Sequence, residues 1–147
     1  MQESTRLKVE AAQELMKQAF ERHGNKIYSA FSGGKDSKAV LKLARSVNPN
    51  VIVIHNTHNG EDTHGEPGVL AVKGPKDIVP LFLKTVELEA QFDGTRQDED
   101  KEVVFDGEYI HRSKMTRNMT EQGLFGLTVY FPLYNFTEEE VYEYLQA

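Results

Sequence analysis

Cysteine is missing altogether from the 147 residues. That excludes disulfides, cysteine-ligated zinc, iron–sulfur clusters and thiol nucleophiles within this chain, and a cytoplasmic setting is the default expectation. Basic residues are in short supply: 17 Lys and Arg stand against 23 Asp and Glu, for a net charge of −6. Broad nucleic-acid binding needs a basic face, so this balance argues against it, and an anionic ligand would need a local positive field. No apolar run approaches the length of a membrane span. The opening residues, Met1-Gln2-Glu3-Ser4, lack the basic and then apolar pattern of a secretory signal. What is present, 39% hydrophobic and 27% charged residues, reads as one globular domain over residues 1–147.

The densest chemistry lies in Ala30-Phe31-Ser32-Gly33-Gly34-Lys35-Asp36-Ser37. An apolar, strand-like run (Ile27 to Phe31) enters this stretch and a helical pattern (Lys38 to Arg45) leaves it. Adjacent glycines admit positive φ and let a ligand reach bare backbone. The helix that follows aims its first N–H groups and the positive end of its dipole at the same spot, which makes an anion site. Lys35 adds a point charge, and Ser32 and Ser37 add hydroxyls. The Walker A spacing, G-x-x-x-x-G-K-(S/T), is absent. Five fixed positions, S-G-G-x-D-S, arise by chance on the order of once per million starting points. The bland alternative is a plain strand–turn–helix junction.

With its strand before it, Ser32-Gly33-Gly34-Lys35-Asp36-Ser37 resembles the PP-loop of the adenine-nucleotide alpha-hydrolase superfamily. Gly94-Thr95-Arg96-Gln97-Asp98-Glu99 resembles the G-x-R-x-D-E segment of phosphoadenosine phosphosulfate (PAPS) reductases and of the ATP sulfurylase small subunit. Phe131-Pro132-Leu133-Tyr134-Asn135-Phe136-Thr137, with Val141 and Tyr144, resembles their P-L-x-x-(W/F)-(S/T)-x-x-x-(V/I)-x-x-Y segment. The three follow one another in family order. The resemblance implies a three-layer α/β/α sandwich around a mostly parallel, Rossmann-type sheet. It implies ATP or an APS/PAPS-type sulfonucleotide on Ser32, Gly33, Gly34, Lys35, Asp36 and Ser37. It places His55, Asn56 and Thr57 beside the adenosine. Lys35, Arg96 and Asp98 become candidates for catalysis, and Asp98 and Glu99 for holding Mg2+. Arg96 suits a bidentate clamp on phosphate or sulfate; the alternative for Asp98-Glu99-Asp100 is an acidic, solvated turn.

Elsewhere the pattern is mainly packing. Residues 5–23 read as an amphipathic helix with Val9, Ala12, Met16, Ala19 and Phe20 on one stripe, ended by Gly24. Val51-Ile52-Val53-Ile54 is apolar throughout, the pattern of a strand buried on both faces. It leads into a polar loop with His55, His58 and His64, which match no zinc spacing, so a hydrogen-bonding role over the nucleotide is preferred and a metal site is the alternative. Residues 65–76 read as loop with a short strand at Val69 to Val72, and Ile78 to Lys84 as a brief helix. Thr85 to Phe92 alternates as a strand with one polar face. Asp106-Gly107 signals a hairpin, and Ser113 to Gln122 carries no clear pattern. Thr128 to Phe131 reads as a last strand, and Thr137-Glu138-Glu139-Glu140 as a capping box opening the final helix. Lys38 and Lys42 read as solvated surface.

Two classes of function fit. One is an enzyme that cleaves ATP between its α- and β-phosphates, passes AMP to an acceptor the sequence does not name, and releases pyrophosphate. The other is a nucleotide-binding or regulatory module, or a small subunit of a larger complex. Self-association or a partner subunit stays open. The reductase branch attacks its sulfonucleotide with a cysteine, so reductive chemistry by this chain alone is set aside.

Overall fold

The computed structural model describes residues 1–57, 66–73, 86–98, 102–105, 108–111, 121–124 and 127–147. Helix α1 (Glu3–His23) turns Val9, Ala12, Met16 and Ala19 inward at helical spacing, and Gly24 closes it by donating to the Phe20 carbonyl at 2.8 Å. Strand β1 (Ile27–Ala30) leads through the glycine turn into α2 (Lys35–Val47), whose buried face is Ala39, Val40, Leu41, Leu43 and Ala44. Then come β2 (Ile52–Thr57), β3 (Val69–Lys73) and β4 (Ala90–Phe92). They are followed by β5 (Glu102–Phe105), β6 (Glu108–His111), β7 (Glu121–Leu124), β8 (Leu127–Tyr130) and α3 (Glu138–Gln146). This is an α/β fold, as expected.

Its main sheet runs in the order β3-β2-β1-β4-β8-β7, and β5 and β6 pair separately as an antiparallel hairpin. The first five of those strands are parallel, and β7 adds antiparallel to β8. The chain therefore grows outward from β1 through β2 and β3, then returns to the other side of β1 as β4. That reversal makes a topological switch point between β1 and β4, the place where open α/β sheets bind ligands outside their carboxyl ends.

The three described helices touch one another and so lie on one face of the sheet, over Ile27, Val53, Ala90, Phe92 and Tyr130. Phe20 of α1 meets Phe92 edge-on, ring centres 5.4 Å apart. Tyr28, Ile54 and Val129 point to the opposite face and are buried as well, so the central strands are covered on both sides. Burial, helped by the charge of Asp93, pushes the Tyr28 phenol well above its ordinary pKa, and its hydroxyl donates to Gln91 Oε1.

Several elements differ from the sequence pattern. β2 starts at Ile52 and runs on to Thr57, so His55, Asn56 and Thr57 belong to the strand rather than to a loop. Ile52 stands at its open amino end, 37% exposed, and is not buried on both faces as its apolar run suggested. β4 is only three residues long, because Glu87 takes a left-handed φ of 60° inside a turn and breaks the alternation. It is central and buried, not the less buried strand expected. The stretch without pattern contains the start of β7, which a two-residue connection joins to β8. Lys42 is not solvated surface: its ammonium donates to the Tyr144 carbonyl at 2.6 Å and lies 4.4 Å from that ring's centre, capping α3. The helix expected over Ile78 to Lys84, the Asp106-Gly107 turn, His58, His64 and Glu99 lie outside the described residues. Among the described residues, no helix is long and apolar enough to cross a membrane.

Candidate functional site

The loop after β1 is held by its own serines. Gly33 takes φ 85°, a left-handed conformation that a side chain would strain, and so bends the chain away from the strand. Ser37 Oγ donates to the Gly34 carbonyl at 3.0 Å and accepts from the Ser32 N–H at 3.1 Å, while the two serine hydroxyls lie 3.2 Å apart. Gly34 is the N-cap of α2 and has no side chain with which to cap it. The first bond of the helical ladder runs from the Lys38 N–H to the Gly34 carbonyl at 3.0 Å. The N–H groups of Lys35, Asp36 and Ser37 come before it, at the positive end of the helix dipole.

The second loop leaves the neighbouring strand. Asp93 Oδ1 accepts from the Thr95 N–H at 2.8 Å and from the Thr95 hydroxyl, an Asx-type turn that folds the chain back toward β1. Arg96 is thereby buried, with 5% of its surface exposed. Its Nη1 lies 3.1 Å from Asp36 Oδ1 in the first loop, and its Nε lies 3.1 Å from Asp98 Oδ1. The third stretch supports this loop from the far side: the Gln97 N–H donates to the Tyr134 carbonyl at 2.9 Å. Tyr134 is itself packed in a tight turn after β8, its N–H donating to the Phe131 carbonyl at 3.1 Å. Burial raises its phenol above the ordinary value.

Lys35 points along the same edge toward α3. Its Nζ lies 3.7 Å from Asp36 Oδ2, 3.4 Å from Glu138 Oε1 and 5.8 Å from the centre of the Tyr142 ring. Five charged groups thus alternate in sign along the carboxyl edge of the sheet: Asp98, Arg96, Asp36, Lys35 and Glu138. Its middle members are mostly buried, and Asp98 and Glu138 at its ends are exposed.

The structure brings Ser32, Gly33, Gly34, Lys35, Asp36, Ser37, Arg96 and Asp98 together at the carboxyl ends of β1 and β4. His55 is buried, and its ring meets Phe31 edge-on at 6.1 Å. Asn56 and Thr57 are described only through their backbone in β2. The Mg2+ expectation meets a half-exposed Asp98 carboxylate with one oxygen on Arg96. Among the described residues, no group of three or more His, Asp or Glu side chains is placed to hold a metal ion. Asp98 therefore fits a magnesium ion only as one carboxylate beside a nucleotide's phosphates, which is the usual arrangement for that metal. Sequence reasoning missed Asp93 and Thr95, although Asp-x-Thr is a turn signal. It also missed Glu138 as the partner of Lys35, which no local pattern announces.

No family model matches the chain, and no curated protein sequence matches it. Solved structures do. FMN adenylyltransferase from Candida glabrata superposes with a TM-score of 0.69 at 13% identity, over 97% of this chain and 55% of that one. The same enzyme in complex with FMN and the ATP analogue AMPCPP gives 0.67 at 14%, over 97% and 57%. Yeast FAD synthetase in complex with FAD gives 0.60 at 14%, over 99% and 60%. At such identities the likeness establishes the fold. The chain spans little more than half the length of these enzymes.

Proposed function

We propose that this chain is a PP-loop domain that binds ATP and serves adenylyl transfer, related through its three motifs to the PAPS reductase branch of that superfamily. The observation that carries the reading is the junction of the two loops at the switch point, where Asp36 of the SGGKDS loop receives Arg96 at 3.1 Å. The fold shared with FMN adenylyltransferase, a structure of which holds an ATP analogue, supports the same class of chemistry.

In this reading the phosphates rest on the N–H groups of Gly33 to Ser37, with Lys35 as the adjoining cation and Arg96 holding the loop in shape and adding charge. His55, Asn56 and Thr57, at the carboxyl end of β2, flank the adenosine. An acceptor oxygen attacks the α-phosphorus, the bond to the bridging oxygen breaks, and pyrophosphate leaves with the electron pair. Negative charge grows on the α-phosphate and on the departing oxygen, so fixed donors and cations matter more than a covalent group. Asp98 and Glu99 are the residues proposed to hold Mg2+, which when bound supplies further charge neutralisation to the phosphates. The acceptor is an open variable, and FMN is the first to try because the neighbours in fold act on it.

The test is purified chain with ATP and Mg2+, alone and with FMN, sulfate and other acceptors, assayed for AMP-containing product, pyrophosphate and orthophosphate. Pyrophosphate that depends on an acceptor supports the enzyme. Tight ATP binding with no product in any arm supports the alternative of a nucleotide-binding module or subunit, which the partial length match to the neighbours leaves standing. Orthophosphate as the only product contradicts cleavage at the α-phosphate.

A further inference from the structure

The acidic triplet Glu138-Glu139-Glu140 reads in sequence as helix-capping charge, yet the structure gives its members different work. Glu140 completes the capping box with Thr137 and binds Lys8 Nζ at 2.7 Å. Glu139 is exposed to solvent. Glu138 reaches back to the nucleotide loop and meets Lys35 at 3.4 Å, while Tyr142, one turn further along α3, lies on the same ammonium.

We propose that Glu138 is an internal competitor for nucleotide phosphate: its carboxylate occupies Lys35, and ATP binds by taking that ammonium from it. The inference rests on the nucleotide reading of the loop and adds to it a residue on α3 that tunes affinity. Of the two carboxylates that the described residues place on Lys35, Glu138 is the one free to yield. Asp36 is tied through its other oxygen to the buried Arg96, and 20% of its side chain is exposed, against 57% for Glu138. A phosphate oxygen brought to Lys35 adds negative charge beside Asp36 and Glu138, and swinging Glu138 into water relieves that repulsion at little conformational cost. Exposed ion pairs are weak, so the effect is modest and falls with added salt.

The experiment is calorimetric titration of MgATP into wild type, Glu138→Gln, Glu139→Gln, Lys35→Ala and the Lys35→Ala/Glu138→Gln double variant at low ionic strength. Glu138→Gln should bind about 2- to 5-fold more tightly than wild type, a ratio that corresponds to the strength of an exposed pair. Glu139→Gln removes the same charge from the same helical turn without touching Lys35, and should bind like wild type. In the Lys35→Ala background the gain from Glu138→Gln should vanish, which a general change of surface charge would not produce. Weaker or unchanged binding by Glu138→Gln, or an equal gain without Lys35, overturns the inference. If wild type binds no ATP, the proposed function falls and this inference with it; if wild type binds and Glu138→Gln matches it, only this inference falls.

Discussion

Gly94 packs closely on Asp36: a Cβ on Gly94 would lie 3.1 Å from the Asp36 Cβ and 3.2 Å from its carbonyl carbon. Neither atom is the loose end of a flexible side chain, so an added methyl fits between the two loops only if Asp36 gives way by a few tenths of an ångström. Gly94→Ala should push Asp36 and the start of α2 aside. We expect ATP binding to weaken by about 1–3 kcal/mol, the range for forced overpacking, as measured by titration. Unaltered affinity in a folded variant would show that the two loops are not a single site.

Arg96 joins the loops electrostatically. Arg96→Ala leaves the carboxylate of Asp36 in a largely buried place without its guanidinium. Removing one partner of a buried pair costs about 3–5 kcal/mol, and the half-exposed Asp98 lets part of the site relax, so a loss of about 2–4 kcal/mol is expected. Urea denaturation measures it. A midpoint equal to wild type would mean that Arg96 serves ligand alone and does not hold the loop.

A different outcome is expected at Ser29, on the face of β1 beneath the helices. Its hydroxyl is fully buried and finds no hydrogen-bond partner among the described residues. Burying such a group costs about 1–3 kcal/mol, so Ser29→Ala should be neutral or up to about 1 kcal/mol more stable. A clear loss of stability would show that the hydroxyl is satisfied in solution, for instance by an ordered water.

Acid should loosen the α1–α3 contact. Burial alone would raise the Glu140 carboxyl, but hydrogen bonds from Lys8 and from Thr137 outweigh it and hold the group below the ordinary carboxylate range. A lowered folded pKa contributes stability that is present above the unfolded value, about 4.3, and is lost as pH falls through the folded one. Between pH 7 and pH 3 the melting temperature of wild type should therefore converge on that of Glu140→Gln. Parallel curves across that range would contradict the assignment.

Much of this was legible because it is local. The strand–glycine–helix loop, the Thr137 capping box and the two-residue connection between β5 and β6 each carry their physics within a few neighbouring residues. β4 was overdrawn because alternation from Thr85 to Phe92 cannot reveal that Glu87 turns left-handed. β7 was missed since a short antiparallel strand of Glu, Gln, Gly and Leu has no apolar face of its own. The charge array was the least legible part. Arg96 meets Asp36 across 60 residues, and Lys35 meets Glu138 from another helix, and only the sheet order brings either pair together.

The claim at the centre of this account is that the loop from Ser32 to Ser37 binds the phosphates of ATP. Calorimetric titration of MgATP into wild type and Lys35→Ala tests it most directly, with APS as the comparison ligand. The account predicts saturable binding of ATP by wild type and a loss of about 1.5–3 kcal/mol in Lys35→Ala, the range for a charge-assisted hydrogen bond, with the fold intact by melting. Equal affinity in the two proteins, or no binding of either nucleotide at millimolar concentration, would contradict it.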